Sequence, residues 1–287
     1  MASKSENFSK TIYIHPDQEV LCQVTGSSSA SGSIDSYTPM GTSNRTVTAT
    51  GSTGGGCVTP ETLITLADGS QVMVKDLTGN ELLLTWNHAT GKFEATKIAY
   101  IVSHDSVDTE HLVTTLYFKD GKQVEIIAEH VFFDTTIGRY VTLTAENVGE
   151  YIGHSFSMLE NDGLSVTKLV KAESEVRMTR AYEVVTYQTL TCFTNGVLSC
   201  SGYIEVLLNM FEINSETMCY DSERIAEDIA TYGLYTYEDF ADLVPEEVYE
   251  MYNAKYLKIA VGKGLITWEG IEALIDFYYS LGIQPLQ

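Results

Sequence analysis

Apolar and polar positions change rhythm along the 287 residues. From Cys57 to about Tyr203, short apolar runs such as Glu81–Trp86, Leu112–Phe118 and Gln123–Ile127 alternate with turn residues. Asp120-Gly121 and Asn195-Gly196 each stand between two apolar runs, the pattern of a tight β-hairpin. No long segment there repeats with a helical period, so residues 57–203 are predicted to form an all-β unit.

After Gly202 the period becomes helical. Ser222 is read as the cap of a helix ending near Gly233, and Thr236 as the cap of a short one with Asp239 three residues on. Pro245 suits the first turn of a segment running to Gly262, and Thr267 opens a helix with Ile271, Leu274, Ile275 and Tyr278 on one face. Residues 204–287 therefore read as a small helical bundle whose aromatic residues form core. Before Cys57, Thr11–Ile14, Glu19–Val24 and Thr46–Thr50 read as short strands, and the Ser, Gly and Ala stretch from Gly26 to Ser33 as a flexible loop. The expected organisation is a β-rich or flexible segment over 1–56, a β domain over 57–203 and an acidic helical region over 204–287.

A weak repeat lies inside the β region. Asp68–Val74 is echoed by Ile137–Leu143, and each is followed by a glycine, Gly79 or Gly149, and another apolar run. Two related halves are the expectation.

Composition narrows the function classes. The net charge of −22, with only 17 Lys and Arg, argues against nucleic-acid binding, which needs clustered cations. From Ile204 onward 16 acids face 4 bases, so the helical region carries much of this charge as a solvated acidic surface. No apolar run is long enough to span a bilayer, and Met1–Glu6 is not a signal peptide; a longer secreted parent is left open, and localisation is not assigned. The five cysteines contain no Cys-x-x-Cys pair, so neither a zinc site nor a disulfide framework is expected, and no cofactor is implied.

The candidate chemistry begins at Gly54-Gly55-Gly56-Cys57. A thiol directly after an unhindered glycyl carbonyl can attack it and convert the peptide bond to a thioester. On the residues alone, Cys57 is either this nucleophile or a buried structural cysteine at a strand start. His130 is likewise either a proton donor to the departing amide or a buried histidine at a strand end.

Further segments extend the pattern: Thr62-Leu63-Ile64, Asp68-Gly69, Val74-Lys75-Asp76-Leu77, Ile126–Phe133, and Ala181-Tyr182-Glu183-Val184 leading to Phe193–Leu198. Together with Gly56-Cys57, and in this order, they resemble the Hint domain, the fold shared by inteins, bacterial intein-like domains and hedgehog autoprocessing domains. The resemblance covers residues 57 to about 201. It implies a mainly β fold, a horseshoe-like, pseudo-twofold domain, here followed by a C-terminal helical region. It also implies single-turnover self-processing, with Cys57 as nucleophile, Gly56 as acyl donor and His130 as acid.

Two departures matter. The family's Thr three residues before the histidine is Ile127 here, so one donor to the reacting peptide is missing. The family's terminal His-Asn falls on Cys200 and Ser201, and neither cyclises as Asn does, so full splicing is not expected. Asn195 is better explained by its turn, and Asn214-Ser215 lies too far from the last strand to replace the terminal pair. The Leu198–Ser201 ending is more similar to hedgehog domains, which release the acyl group to an external nucleophile. Cys200 is then a candidate acyl acceptor or neighbour of Cys57, and His104 and Asp105 lie loosely where those domains place an activating Asp. The expected substrate is the chain's own N-terminal segment, with water or a small nucleophile as acceptor. A non-catalytic Hint scaffold serving binding or surface display is the competing expectation. A faint similarity of Asp239–Leu243 and Ala260–Ile266 to S-layer homology modules is explained by a helical hairpin.

Overall fold

The structure is a computed structural model that describes residues 20–24, 43–47, 57–103, 107–161, 163–201 and 205–280. The chain divides into two compact units, residues 1–53 and 54–287. In the first, Val20–Val24 pairs antiparallel with Ser43–Val47. The second of these strands starts three residues before the expected Thr46. The expected strand at Thr11–Ile14 and the loop from Gly26 to Ser33 lie outside the described residues.

The second unit is mainly β, as expected. Its larger sheet runs, in order, through Gln71–Met73, Leu63–Thr65, Thr191–Thr194, Val197–Cys200, Glu129–Asp134, Ser155–Glu160, Gly163–Thr179, Thr109–Phe118 and Gln123–Ile127, with Arg139–Thr144 also pairing Glu129–Asp134. A three-stranded sheet orders Tyr182–Thr186, Lys92–Ser103 and Leu82–Asn87. Each pairing among the described strands is antiparallel. Both expected hairpins form. Gly121 sits at φ 88°, and Asn195 and Gly196 at φ 47° and 80°, so the Asn-Gly pair supplies the two positive φ values that a type I′ turn requires. Asn195 does more than turn the chain. Its Oδ1 accepts from the Leu63 N–H at 2.7 Å and its Nδ2 donates to the Gln123 carbonyl at 2.6 Å, tying three strands at one corner.

The repeat is real at the level of elements. Leu63–Thr65, Gln71–Met73, a 3₁₀ turn at Val74–Asp76, Gly79 and Leu82–Asn87 are matched by Glu129–Asp134, Arg139–Thr144, a 3₁₀ turn at Val148–Tyr151, Gly153 and Ser155–Glu160. Each half then enters a long strand, Lys92–Ser103 or Gly163–Thr179. The bridge Leu66↔Leu83 in one half corresponds to Asp134↔Phe156 in the other. The glycine equivalent to Gly79 (φ 89°) is Gly153 (φ 94°), not Gly149, which lies inside the 3₁₀ turn. Spacing alone misaligned it.

The central strands Thr191–Thr194 and Val197–Cys200 are buried on both faces. Their polar side chains are therefore paired internally: Thr194 Oγ1 and Ser199 Oγ lie 2.6 Å apart, and Thr191 Oγ1 donates to the Trp86 carbonyl at 2.9 Å. This satisfies the rule that buried hydroxyls need partners.

The C-terminal region is largely helical, with short elements before its first longer helix. A short helix Glu205–Asn209 and a small hairpin of Ile213–Asn214 with Cys219–Tyr220 come first. The helix Ser222–Tyr232 is capped by Asp221, whose carboxylate accepts from the Glu223 and Arg224 N–H groups; Ser222 is its first residue rather than its cap. Thr236 and Asp239 form the expected capping box. The segment after Pro245 is interrupted: Glu246–Met251 ends, Asn253 turns left-handed at φ 51°, and Leu257–Gly262 resumes. In the last helix, Trp268–Ser280, the Gly270 N–H bonds Thr267 Oγ1, so Thr267 does open it, and Ile271 is buried. Tyr278 lies outside the residues whose side chains are described. No described helix is long and apolar enough to cross a membrane.

These helices share one core with the sheet. Phe240, Tyr249, Tyr252 and Ile259 pack in the same cluster as Phe133, Tyr140, Phe193 and Cys200. The aromatic residues are core, as expected, but the core belongs to both regions.

Candidate functional site

Cys57 is the first described residue of the second unit, and it is held before any strand begins. Its carbonyl accepts the Ile127 N–H at 3.0 Å. Val58 then exchanges both backbone hydrogen bonds with Tyr182, at 2.9 and 3.0 Å, and also bridges Ile126. The Cys57-Val58 step is thus inserted between Gln123–Ile127 and Tyr182–Thr186. The two segments the sequence singled out, around Ile126–His130 and Ala181–Val184, are the two walls that grip it.

Cys57 is 0% exposed and packs with Val113, Ile127 and Ala181. Gly56, the other side of the candidate junction, lies outside the described residues, as do His104 and Asp105. Ile127 sets its apolar side chain in the Cys57 cluster, at the position where the Hint resemblance implies a hydroxyl.

His130 follows through a backbone reversal. Ala128 is left-handed at φ 58°, unusual for a residue with a Cβ, and it separates Gln123–Ile127 from Glu129–Asp134. His130 is 4% exposed, pairs in register with Leu143, and its ring centroid is 4.8 Å from that of Phe132.

Cys200 and Ser201 sit at the far end of the chain's β region. Cys200 pairs with Thr191 and is buried in the core shared with the helices, near the tyrosines 140, 220 and 252. Burial pushes the hydroxyls of Tyr220 and Tyr252 well above the ordinary tyrosine range. Ser201 is 1% exposed; its Oγ accepts the Thr186 N–H at 3.1 Å and also bonds the Thr186 hydroxyl. Cys57 and Cys200 thus belong to different apolar clusters.

Two features escaped the sequence reading. Glu125, two residues before Ile127, receives Arg177 in a bidentate pair, at 3.0 and 2.6 Å, and accepts Thr59 Oγ1 at 2.9 Å. The Arg177 hydrogen bonds hold its carboxyl below the ordinary glutamate value, with Thr59 adding to the effect. The second is His88, buried between the β region and the C-terminal hairpin, with Nδ1 2.7 Å from the Met218 carbonyl and Nε2 2.7 Å from the Tyr140 hydroxyl. Their partners are distant in sequence, and no local motif marks them. Among the described residues no group of three or more His, Cys, Asp or Glu is arranged to hold a metal ion.

No protein-family model matches the chain, and no curated protein matches it. Among solved structures it is similar to a DnaB intein from Synechocystis, at 17% identity over 51% of this chain and 98% of that one, with a TM-score of 0.43. It is similar to the TvoVMA intein at 12% identity, over 51% of this chain and 98% of that one, TM-score 0.43. A DnaX mini intein from Spirulina platensis follows at 14% identity, covering 50% of this chain and 98% of that one, TM-score 0.40.

Proposed function

We propose that the β region from Cys57 is a Hint-type self-processing domain that performs an N-to-S acyl shift at Gly56-Cys57. Cys57 Sγ attacks the Gly56 carbonyl, the peptide C–N bond breaks, and the Cys57 nitrogen takes a proton, for which His130 is the donor. The product is a thioester between residues 1–56 and the Cys57 side chain, with a free α-amine on Cys57. Water then releases a Gly56 carboxylate, or an amine takes the acyl group as an amide; in both cases the Cys57 thiol is restored.

The observation that carries this reading is the grip on Cys57. Its carbonyl and both polar groups of Val58 are fixed by neighbouring strands while three glycines precede it. A nucleophile fixed at Cα and preceded in sequence by three residues without side chains supports intramolecular attack. Splicing is not part of the proposal, because Ser201 cannot cyclise and its hydroxyl is engaged with Thr186. The buried positions of Cys200 and Ser201 favour an external acceptor over transfer to either.

Incubating the full chain with excess thiol and measuring intact mass tests the proposal. Release of a fragment ending at Gly56, absent from Cys57→Ala, is expected. An intact chain across several pH values, indistinguishable from Cys57→Ala, would leave the scaffold reading in its place. One observation favours that second reading: the Ile127 side chain packs apolar atoms against Cys57 where the Hint resemblance implies a hydroxyl.

A further inference from the structure

The Cys57 segment is held on its backbone from two sides, and the Thr59 side chain adds two contacts, with Thr62 Oγ1 at 3.2 Å and with Glu125. Thr59 is 1% exposed and donates its hydroxyl to Glu125 Oε2. Glu125 lies on the strand whose Ile127 N–H holds the Cys57 carbonyl, and whose Ile126 bridges Val58. Arg177, from the long strand Gly163–Thr179, closes on both Glu125 oxygens. The carboxylate therefore connects the Cys57 segment to two strands distant in sequence. It faces a groove of about 600 Å³ lined by Pro60, Glu61, Lys75, Asp108, Arg180 and Tyr182, among others.

We infer that Glu125, itself oriented by Arg177, is a positioning residue for Cys57. This rests on the acyl-shift reading above, yet the grip can be measured without it. A planar bidentate pair defines the carboxylate's orientation more closely than a single contact does. Thr59 is two residues from Cys57, so the carboxylate sets the register of the very step whose carbonyl Ile127 holds. Losing that register moves Sγ relative to the Gly56 carbonyl, and a misplacement of about 1 Å costs on the order of 10²-fold in rate.

The test is a double-mutant cycle on the full chain, read as the rate of thiol-induced release of residues 1–56. Glu125→Ala and Thr59→Val are each expected to slow release by roughly 10- to 100-fold. The double variant is expected to be much less slow than the product of the two single losses, because both remove the Thr59–Glu125 contact. Glu125→Gln keeps an acceptor for Thr59 but gives up the bidentate pair with Arg177, and is expected to recover part of the lost rate. Additive losses, or no recovery with Gln, would show that Glu125 supports folding only and overturn the inference. If the unmodified chain releases nothing, the acyl-shift reading fails on its own. Amide hydrogen exchange at Ile127 then decides the grip: Glu125→Ala and Thr59→Val should each speed it by about tenfold and not add. Unchanged exchange would refute the grip.

Discussion

Acid should destabilise this protein through one buried histidine. His88 follows the strand Leu82–Asn87 and packs against the rings of Tyr140 and Tyr220, at centroid distances of 5.7 and 5.3 Å. The Met218 carbonyl at Nδ1 only accepts, so Nδ1 carries the hydrogen and neutral Nε2 accepts the Tyr140 hydroxyl. Protonating Nε2 removes that acceptor and places a cation in an apolar core. Burial accordingly lowers the His88 pKa from 6.5 to about 4, against a smaller opposing effect of the Met218 bond. The sign follows. Between these two values the unfolded chain binds a proton that the folded one refuses, so stability falls as pH falls. At about 1.4 kcal/mol per pH unit the loss is ~2 kcal/mol by pH 5 and ~3 kcal/mol by pH 4. The carboxylates Glu81, Asp120 and Glu125, whose pKa values are lowered, keep their contributions above their ordinary values of 4.5, 3.8 and 4.5 and lose them only at lower pH. Urea unfolding at pH 7, 6 and 5 stays above the range in which these carboxylates titrate, and comparison with a His88 variant isolates this histidine from the others. His88→Gln, whose amide can donate to Met218 and accept from Tyr140, should flatten the slope between pH 6.5 and 5. An unmodified chain equally stable at pH 7 and 5, or a Gln variant with the same slope, would refute the reasoning.

Other outcomes follow from single contacts. Asn195→Ala loses both side-chain bonds to Leu63 and Gln123 and is expected to cost ~2 kcal/mol in urea unfolding. Asp221→Ala removes the cap of the helix Ser222–Tyr232 and should cost about 1 kcal/mol, while Ser222→Ala should cost little. Ile127→Thr puts a hydroxyl in the Cys57 cluster and should speed thiol-induced release by up to roughly 10²-fold, measured by intact mass. Unchanged or slower release in that variant would mean that a hydroxyl at this position does not limit the reaction.

Local chemistry made part of this fold legible. Asp120-Gly121 and Asn195-Gly196 announced their hairpins because positive φ at a tight turn needs those residue types. The Thr236 and Asp239 capping box was visible for the same reason. What the chain order hides is long-range. Asp221 displaced Ser222 as cap because either residue suits the position locally and the path of the preceding hairpin decides. The break at Asn253 follows from its neighbours packing into a core shared with the sheet, which helical periodicity cannot reveal. At the candidate site, Cys57 and His130 stood out by residue type and motif. Glu125 and His88 did not, because their partners Arg177, Met218 and Tyr140 are 52 to 130 residues away.

The central claim is a thioester on Cys57, and hydroxylamine trapping measures it most directly. Hydroxylamine attacks the thioester carbonyl and expels the thiolate, leaving a fragment of residues 1–56 that ends in a hydroxamate. That fragment is expected by mass spectrometry from the unmodified chain, much less of it at equal times from a His130→Ala variant, and none from Cys57→Ala. Hydroxamate absent from the unmodified chain, or formed equally by Cys57→Ala, would contradict the claim.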